Sequence, residues 1–323
     1  MRLTVGCIGL LFSMIFFPSG ANAQETPSPL RSPRKAARPA APKTPAEFTL
    51  VGAGDIAWCG NIAGAEATAK LIDKIPGTVF AAGDLAYNEG TYEEFQKCYQ
   101  PTWGRFKSRT RPAPGNHEYN GSEASGYFRY WGDRAGDPRK GYYSFDLGSW
   151  HIVVLNTNCG VAELGGCAEG SPEETWLKQD LAQHSNACVL AYGHHALFSS
   201  GIFPKHARHP ELHSLWQDLY NARAALILAG HEHSYERFAP QNPDGHADPA
   251  HGIRQIVVGT GGKNHTPLAY PQPNSEVRND DTFGVLKLTL SPGKYKWEFV
   301  PEAGKTFSDS GEGTCQASAG MPK

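Results

Sequence analysis

No Cys-x-x-Cys pair occurs in the 323 residues, which removes a zinc-ribbon reading of the seven cysteines. No Gly-x-Ser-x-Gly elbow is present either, so Ser, His and Asp do not fall into the serine-hydrolase pattern. Positive charge is not in excess. The formal net charge of −2 argues against a protein that coats nucleic acid, and none is expected as a structural partner. The single long apolar run, Leu3 to Phe17, falls short of the ~20 residues a spanning helix needs. Gly259-Thr260-Gly261-Gly262 resembles a phosphate-cradling loop, but no lysine stands at P-loop spacing, and it reads as a turn closing a crevice. Internal repeats and a second linker are absent, so one folded domain is expected.

What is present begins with an export leader. Arg2 precedes the apolar run, Pro18-Ser19-Gly20 breaks it, and Ala21-Asn22-Ala23 offers a small-x-small cleavage site. Residues 1–23 are therefore read as a signal peptide, leaving a secreted, periplasmic or extracellular chain with no transmembrane anchor after cleavage. Residues 24–46 form a linker of recurring proline, with Arg31, Arg34, Lys35, Arg38 and Lys43 against Glu25. Such a stretch cannot bury a core and is expected to be an extended tether, with weak contact to an anionic envelope as its secondary reading. Residues 47–323 make up the folded part. Cys7 leaves with the leader, and six cysteines remain, as expected for an oxidised, exported chain. Cys159 and Cys167 bracket a Gly-rich loop and are expected to pair. Cys59–Cys98 and Cys188–Cys315 are the favoured completion, although spacing alone does not fix connectivity.

Five times in the folded part, a short segment runs into glycine followed at once by a metal-competent side chain. These are Gly54-Asp55, Gly83-Asp84, Gly115-Asn116, Gly193-His194 and Gly230-His231. Four of the segments are continuous apolar runs such as Ala225 to Ala229, which suit strands buried on both faces. Arg111 to Pro114 is a poor strand because of its prolines. Glycine allows a sharp turn off the sheet, and ligands gather at the carboxyl ends of strands in α/β sheets. Gly-Asp and Gly-Asn are also ordinary turn dipeptides, but five exits would bring Asp55, Asp84, Asn116, His194 and His231 around one crevice. Helices are expected over Ala65 to Lys74, from the Ser171 cap through Leu181, and over Pro210 to Tyr220. Later paired strands are expected at Tyr142 to Leu147, His151 to Asn156, Arg254 to Val258, Val285 to Leu290 and Lys294 to Val300. A β-sandwich flanked by helices is the expected architecture.

Tyr87 follows Asp84 by three residues, and His233 follows His231 by two. In an extended chain residues i and i+2 point alike, so two ions ~3.5–4 Å apart could take one imidazole each. Asp84 has two oxygens and could bridge them. A set of Asp, Asn, His and Tyr without Cys suits Fe, Mn or Zn. A tyrosine oxygen binds only when deprotonated, which favours Fe(III) beside it.

In order and spacing these motifs resemble the calcineurin-like metallophosphoesterases. Tyr87 and the run Gly230-His231-Glu232-His233-Ser234-Tyr235-Glu236-Arg237 look most like the purple acid phosphatase branch. The resemblance implies a four-layer α/β (α+β) sandwich. It places Asp55, Tyr87 and His233 on Fe(III), and Asn116, His194 and His231 on a second ion (Fe, Zn or Mn), with Asp84 bridging. It also implies that His117 touches a small phosphorylated substrate and protonates its leaving oxygen, with hydrolysis of the ester by hydroxide generated at the metals. His195 and His206 are further catalytic candidates; His195 is equally well read as packing, and His209 shares the loop of His206. Tyr235 and Arg237 read as scaffold. The sequence departs from the family at Ala57, where glycine is frequent, and at Ala196, where proline is frequent. The extra N-terminal β domain of plant-type enzymes is not expected from residues 24–46. Acid phosphatase activity on monoesters is the expected function. A phosphodiesterase with the same ligands, a non-catalytic secreted metal- or phosphate-binding protein and a closed structural metal site are its rivals.

Overall fold

In the computed structural model the described residues are 46–121, 123–185 and 187–315. The leader and all of the linker except Ala46 lie outside them. Strand-forming runs that are apolar on both sides need cover on both faces, and the chain provides it with two stacked sheets. The first orders its strands Ser310–Thr314, Lys294–Pro301, Gly284–Ser291, Phe48–Ala53, Thr78–Ala82 and Thr110–Ala113. The second orders Ser275–Asn279, Tyr235–Phe238, Arg254–Val258, Leu226–Ala229, Cys188–Tyr192, Trp150–Val154 and Tyr143–Leu147. At the heart of each sheet the strands are parallel: three in the first and four in the second.

Alternate residues of the second sheet face opposite ways. Ile152, Val154, Leu190, Tyr192, Leu226 and Leu228 share one buried cluster with Leu50, Val79 and Leu286 of the first sheet. Their neighbours Val153, Val189, Ala191 and Ile227 pack instead with Leu177 and Leu181 of helix Pro172–Gln183 and with Leu215, Trp216 and Leu219 of helix His213–Asn221. Helix Ala63–Ile72 turns Ala65, Ala69 and Ile72 into the cluster of the first sheet. The result is the expected four-layer sandwich. Truncating a fully buried leucine such as Leu190 or Leu226 to alanine would cost roughly 2–5 kcal/mol. Among the described residues no helix is long and apolar enough to cross a membrane.

Local signals account for most element ends. Ser171 caps its helix by accepting from the Glu174 N–H, and Pro172 takes the first turn. Thr110–Ala113 forms a strand despite Pro112 because it lies at a sheet edge, bonded on one side only. The helix expected from Pro210 begins at His213, after a short 3₁₀ turn over Pro210–Leu212. Ser275–Asn279 and Ser310–Thr314 were not expected as strands; both are edges, with no apolar run to mark them. Cys59–Cys98, Cys159–Cys167 and Cys188–Cys315 are the pairs formed. Tyr235 Oη, Arg237 Nε and Trp297 Nε1 all donate to the Asp309 carboxylate, which confirms Tyr235 and Arg237 as scaffold.

The hairpin Tyr143–Leu147/Trp150–Val154 is fastened to helix Pro172–Gln183 by His151. Its Nδ1 lies 2.9 Å from Asp146 Oδ1 and its Nε2 2.7 Å from Asp180 Oδ2. Burial opposes a charge on this ring, yet Asp180 and Asp146 outweigh it and raise the pKa above the ordinary imidazole value. A group whose folded pKa is raised stabilises the fold fully below its unfolded pKa, and loses that contribution as pH rises through the folded value. His151→Gln should therefore lower stability by about 1–2 kcal/mol at pH 5.5. The gap should narrow as pH rises, read as urea midpoints from pH 5.5 to 9; a gap that does not change with pH would refute the charged pair.

Candidate metal centre

The five glycine exits end side by side where the two sheets meet. The reason for the glycines differs from the one expected. Of the five only Gly83 has positive φ, whereas the side chains that follow, Asp55 (φ 61°), Asp84 (φ 53°) and His231 (φ 70°), make the turns themselves. Left-handed backbone at non-glycine residues is costly and collects at functional sites. The glycines are needed for close approach. A Cβ on Gly230 would lie 2.6 Å from Asp55 Oδ2, one on Gly54 2.7 Å from the Ala82 carbonyl, and one on Gly115 would land on the Asp84 carboxylate.

Two groups of donor atoms result. In the first, Tyr87 Oη donates to Asp55 Oδ1 at 2.8 Å, and His233 Nε2 lies 3.1 Å from Tyr87 Oη and 3.2 Å from Asp55 Oδ1. In the second, His194 Nε2 lies 3.1 Å from both Asn116 Oδ1 and His231 Nδ1. Asp84 joins them: its Oδ2 is 3.3 Å from His194 Nε2, and ligand atoms of Asp55, Asp84 and His194 lie within 4.8 Å of one another. All seven residues expected as ligands are thus brought together in the expected partition. His231 and His233 separate because of the turn at His231, not through the pleat of an extended chain; the strand begins only at Tyr235.

The nitrogen that faces away from the centre is occupied in each of the three histidines. His194 Nδ1 meets the Ala82 carbonyl at 2.9 Å, His231 Nε2 the His206 carbonyl at 3.1 Å, and His233 Nδ1 meets Asn264 Oδ1 at 3.0 Å. Those acceptors each engage the outward nitrogen and turn the other nitrogen toward the centre, the arrangement of metal-ligating histidines. Four oxygen-bearing side chains complete a hard-to-borderline donor set, so the residues fit a pair of metal ions.

Electrostatics in the metal-free protein agree. Burial would raise the Asp84 carboxyl, but His194, His117 and His231 hold it below the carboxylate range. Burial disfavours a proton on His194, but Asp84 outweighs it and lifts the imidazole to about 9. Burial, then the charges of Asp55 and Asp84, push the Tyr87 phenol far above its ordinary value. Cations entering here must displace protons from Tyr87 and His194, so affinity falls as pH falls.

Around this centre, His117 sends its backbone N–H to Asp84 Oδ1 at 2.9 Å and anchors Nδ1 on the Asn88 carbonyl at 2.5 Å, leaving Nε2 3.7 Å from Asp84 Oδ2. His206 stacks on the His231 ring at 4.2 Å with its side chain 60% exposed, and lines the mouth with His117 and Phe203. His195 is buried. Thr157 Oγ1 accepts from the His194 and His195 N–H groups, so its own proton goes to His195 Nδ1 at 2.9 Å and the ring carries its hydrogen on Nε2. Burial and the neighbouring imidazoles hold His195 well below the ordinary imidazole pKa.

Sequence reasoning assigned no role to four supporting residues. The buried carboxylate of Glu118 accepts from the N–H groups of Asp84, Leu85 and Gly115 at 2.9, 2.8 and 2.7 Å. It ties two exits together, and its place in Gly115-Asn116-His117-Glu118 was the available signal. Thr157, Asn264 and Lys263 lie too far along the chain to be paired with the motifs. The Lys263 ammonium sits 4.8 Å from the Tyr87 ring centroid, and its backbone N–H bonds the Asp55 carbonyl, so the Gly-rich loop does close the crevice. Glu118→Gln puts an amide NH₂ against backbone donors. It should cost about 2–3 kcal/mol and weaken metal binding at least about tenfold, by urea titration and calorimetry with added metal. Unchanged metal affinity would show that Glu118 braces the fold without positioning Asp84.

Comparison with known proteins follows the same lines. The family model described as calcineurin-like phosphoesterase matches residues 48–235, which hold all five glycine exits and all seven candidate ligands. Purple acid phosphatase 22 of Arabidopsis thaliana is 27% identical over 296 residues, 82% of this chain and 63% of that protein. Acid phosphatase type 7 of Homo sapiens is 28% identical over 257 residues, 67% of this chain and 56% of that protein. The chain thus spans under two thirds of the length of these curated relatives. A purple acid phosphatase from yellow lupin (Lupinus luteus) seeds shares the fold with TM-score 0.63 and 22% identity, over 84% of this chain and 54% of that one. With more than half of its length matched by the family model and the strand order in agreement, the chain belongs to the calcineurin-like phosphoesterase family.

Proposed function

We propose that this protein is an exported phosphoesterase that hydrolyses small phosphate monoesters at a pair of metal ions. The observation that carries the reading is the outward anchoring of His194, His231 and His233, which turns three nitrogens inward among four oxygen donors. Asp55, Tyr87 and His233 would hold Fe(III), Asn116, His194 and His231 an Fe, Zn or Mn ion, and Asp84 would serve both. Bound there, the ions would supply positive charge to the phosphate oxygens and acidify water toward or below neutrality. His117 Nε2 gives its proton to the leaving alkoxide. The exposed ring of His206 contacts the phosphate, and the fixed Nε2–H of His195 donates from the second ion's side. The leader at 1–23 and three disulfides support export into an oxidising compartment.

Residues 24–323, purified and analysed for metal, should carry two ions per chain, one of them iron, with a broad visible band. Tyr87→Phe should abolish the band, and Asp84→Asn should lower turnover of p-nitrophenyl phosphate by at least about a hundredfold. Faster cleavage of bis(p-nitrophenyl) phosphate than of the monoester would reassign the protein as a phosphodiesterase. A colourless active protein would remove Fe(III) from Tyr87. Absence of turnover with both metals bound would favour a binding protein.

A further inference from the structure

The cavity in front of the metal centre has a volume of about 420 Å³, within the range of small-ligand sites. Seven of the eight side chains that line it carry oxygen or nitrogen, Asp84, His117, His231 and His233 among them. The eighth is Phe203, the one hydrocarbon surface in the wall. Its side chain stands in water: the residue is 65% exposed, more than any other large hydrophobic among the described residues. A lone exposed ring elsewhere on a surface is ordinary. This one shares a cavity with the candidate ligands.

The ring is exposed, but the backbone that carries it is fastened on both sides. Before it, the Ile202 N–H donates to the Pro267 carbonyl at 3.2 Å, and Gly201 bridges Leu268. After it, the Phe203 carbonyl accepts from the His206 and Ala207 N–H groups, both at 2.8 Å. Each fastening leads to a candidate ligand. The Thr266 N–H bonds the His233 carbonyl at 3.1 Å, and the His206 ring stacks on that of His231 at 4.2 Å. Phe203 is thus a side chain on a placed backbone, and binding against it costs little further ordering. An ester whose leaving oxygen meets His117 has the first atoms of its alcohol arm in this cavity. An aromatic arm laid on Phe203 takes the apolar area of both rings out of water and gains the ring–ring contact. A polyol arm gains neither, and loses water from its hydroxyls against a surface that cannot bond them.

We infer that Phe203 is a specificity-determining residue that receives an aromatic alcohol arm, so that aryl phosphates are selected over phosphates of glycerol and other polyols. This deepens the phosphoesterase reading and rests on it.

The test compares phenyl phosphate with glycerol 1-phosphate in the wild type, Phe203→Ala, Phe203→Leu and Phe203→Trp. The ratio of KM for phenyl phosphate to KM for glycerol 1-phosphate should rise at least about threefold in Phe203→Ala, the worth of one aromatic pair. It should rise less in Phe203→Leu, which keeps a hydrocarbon without a ring face, and hold near the wild-type value in Phe203→Trp. The ratio of inhibition constants for phenylphosphonate and methylphosphonate should follow the same order, which separates binding from cleavage of the ester. Metal content, measured alongside, should match the wild type. Unchanged ratios, or equal losses on both esters, would overturn the inference while leaving the phosphoesterase reading intact. Loss of metal from Phe203→Ala would also overturn it, by making Phe203 a brace for the loop of His206. A wild type that turns over neither ester would sink the phosphoesterase reading and this inference with it.

Discussion

Asp84 has to hold its carboxylate within reach of both groups of ligands, and the crest of the sandwich is arranged around that demand. Its backbone is left-handed, its N–H is taken by Glu118, and one oxygen is taken by the His117 N–H. Gly83 and Gly115 lie so close to the neighbouring exits that a Cβ on either would overlap a ring or the carboxylate itself. The glycines that mark the motif therefore serve mainly as spacers of minimal size between strands converging on one point. A left-handed aspartate costs on the order of 1–3 kcal/mol. Glu118 offsets that cost with three backbone bonds made inside the protein, where such bonds are strongest.

The two sheets contribute different chemistry. Exits of the first supply oxygen: Asp55, Asp84 with Tyr87, and Asn116. Exits of the second supply nitrogen: His194, His231 and His233. Neither sheet alone holds a complete set, so the centre exists only when the sandwich is closed. Contacts independent of metal keep it closed. Tyr192 Oη donates to the Arg111 carbonyl at 2.8 Å, Trp150 Nε1 to the Ser291 carbonyl at 2.9 Å, and the Gly54 N–H to the Val258 carbonyl at 2.9 Å. Cys188–Cys315 adds a covalent tie across 127 residues.

The parts of this arrangement legible in the sequence were those that repeat. Five glycine exits and four apolar runs pointed to the parallel strands and to five of the candidate ligands, because buried strands and converging ends leave local patterns; Tyr87 and His233 followed from their spacing to Asp84 and His231, and the grouping of the seven came from the family resemblance. Thr157, which fixes the tautomer of His195, sits 37 and 38 positions from the backbone groups it accepts, and nothing local marks it. Asn264 and Lys263 reach the centre from a loop whose glycines were legible but whose side chains were not. The edge strands Ser275–Asn279 and Ser310–Thr314 escaped notice because half their residues face solvent and carry no apolar signal. The reason given for the glycines also needed the structure, since a turn made by glycine and one made by the residue after it look identical in sequence.

The division of donors between sheets has a thermodynamic consequence. Without metal, the inward nitrogens and oxygens are held about 3 Å apart by hydrogen bonds among themselves, such as Tyr87 to Asp55 and His194 to Asn116. These bonds let the closed sandwich form before any ion arrives, so the ligands are already placed when binding begins. A pair of ions held by these residues would take the place of those bonds and of the protons that make them. Because the candidate ligands come from both layers, the free energy of binding such ions would appear as resistance of the sandwich to opening as well as affinity. A centre confined to one loop would not couple to the fold in this way. The placing of oxygen on one sheet and nitrogen on the other thus makes integrity of the site and integrity of the core one and the same property.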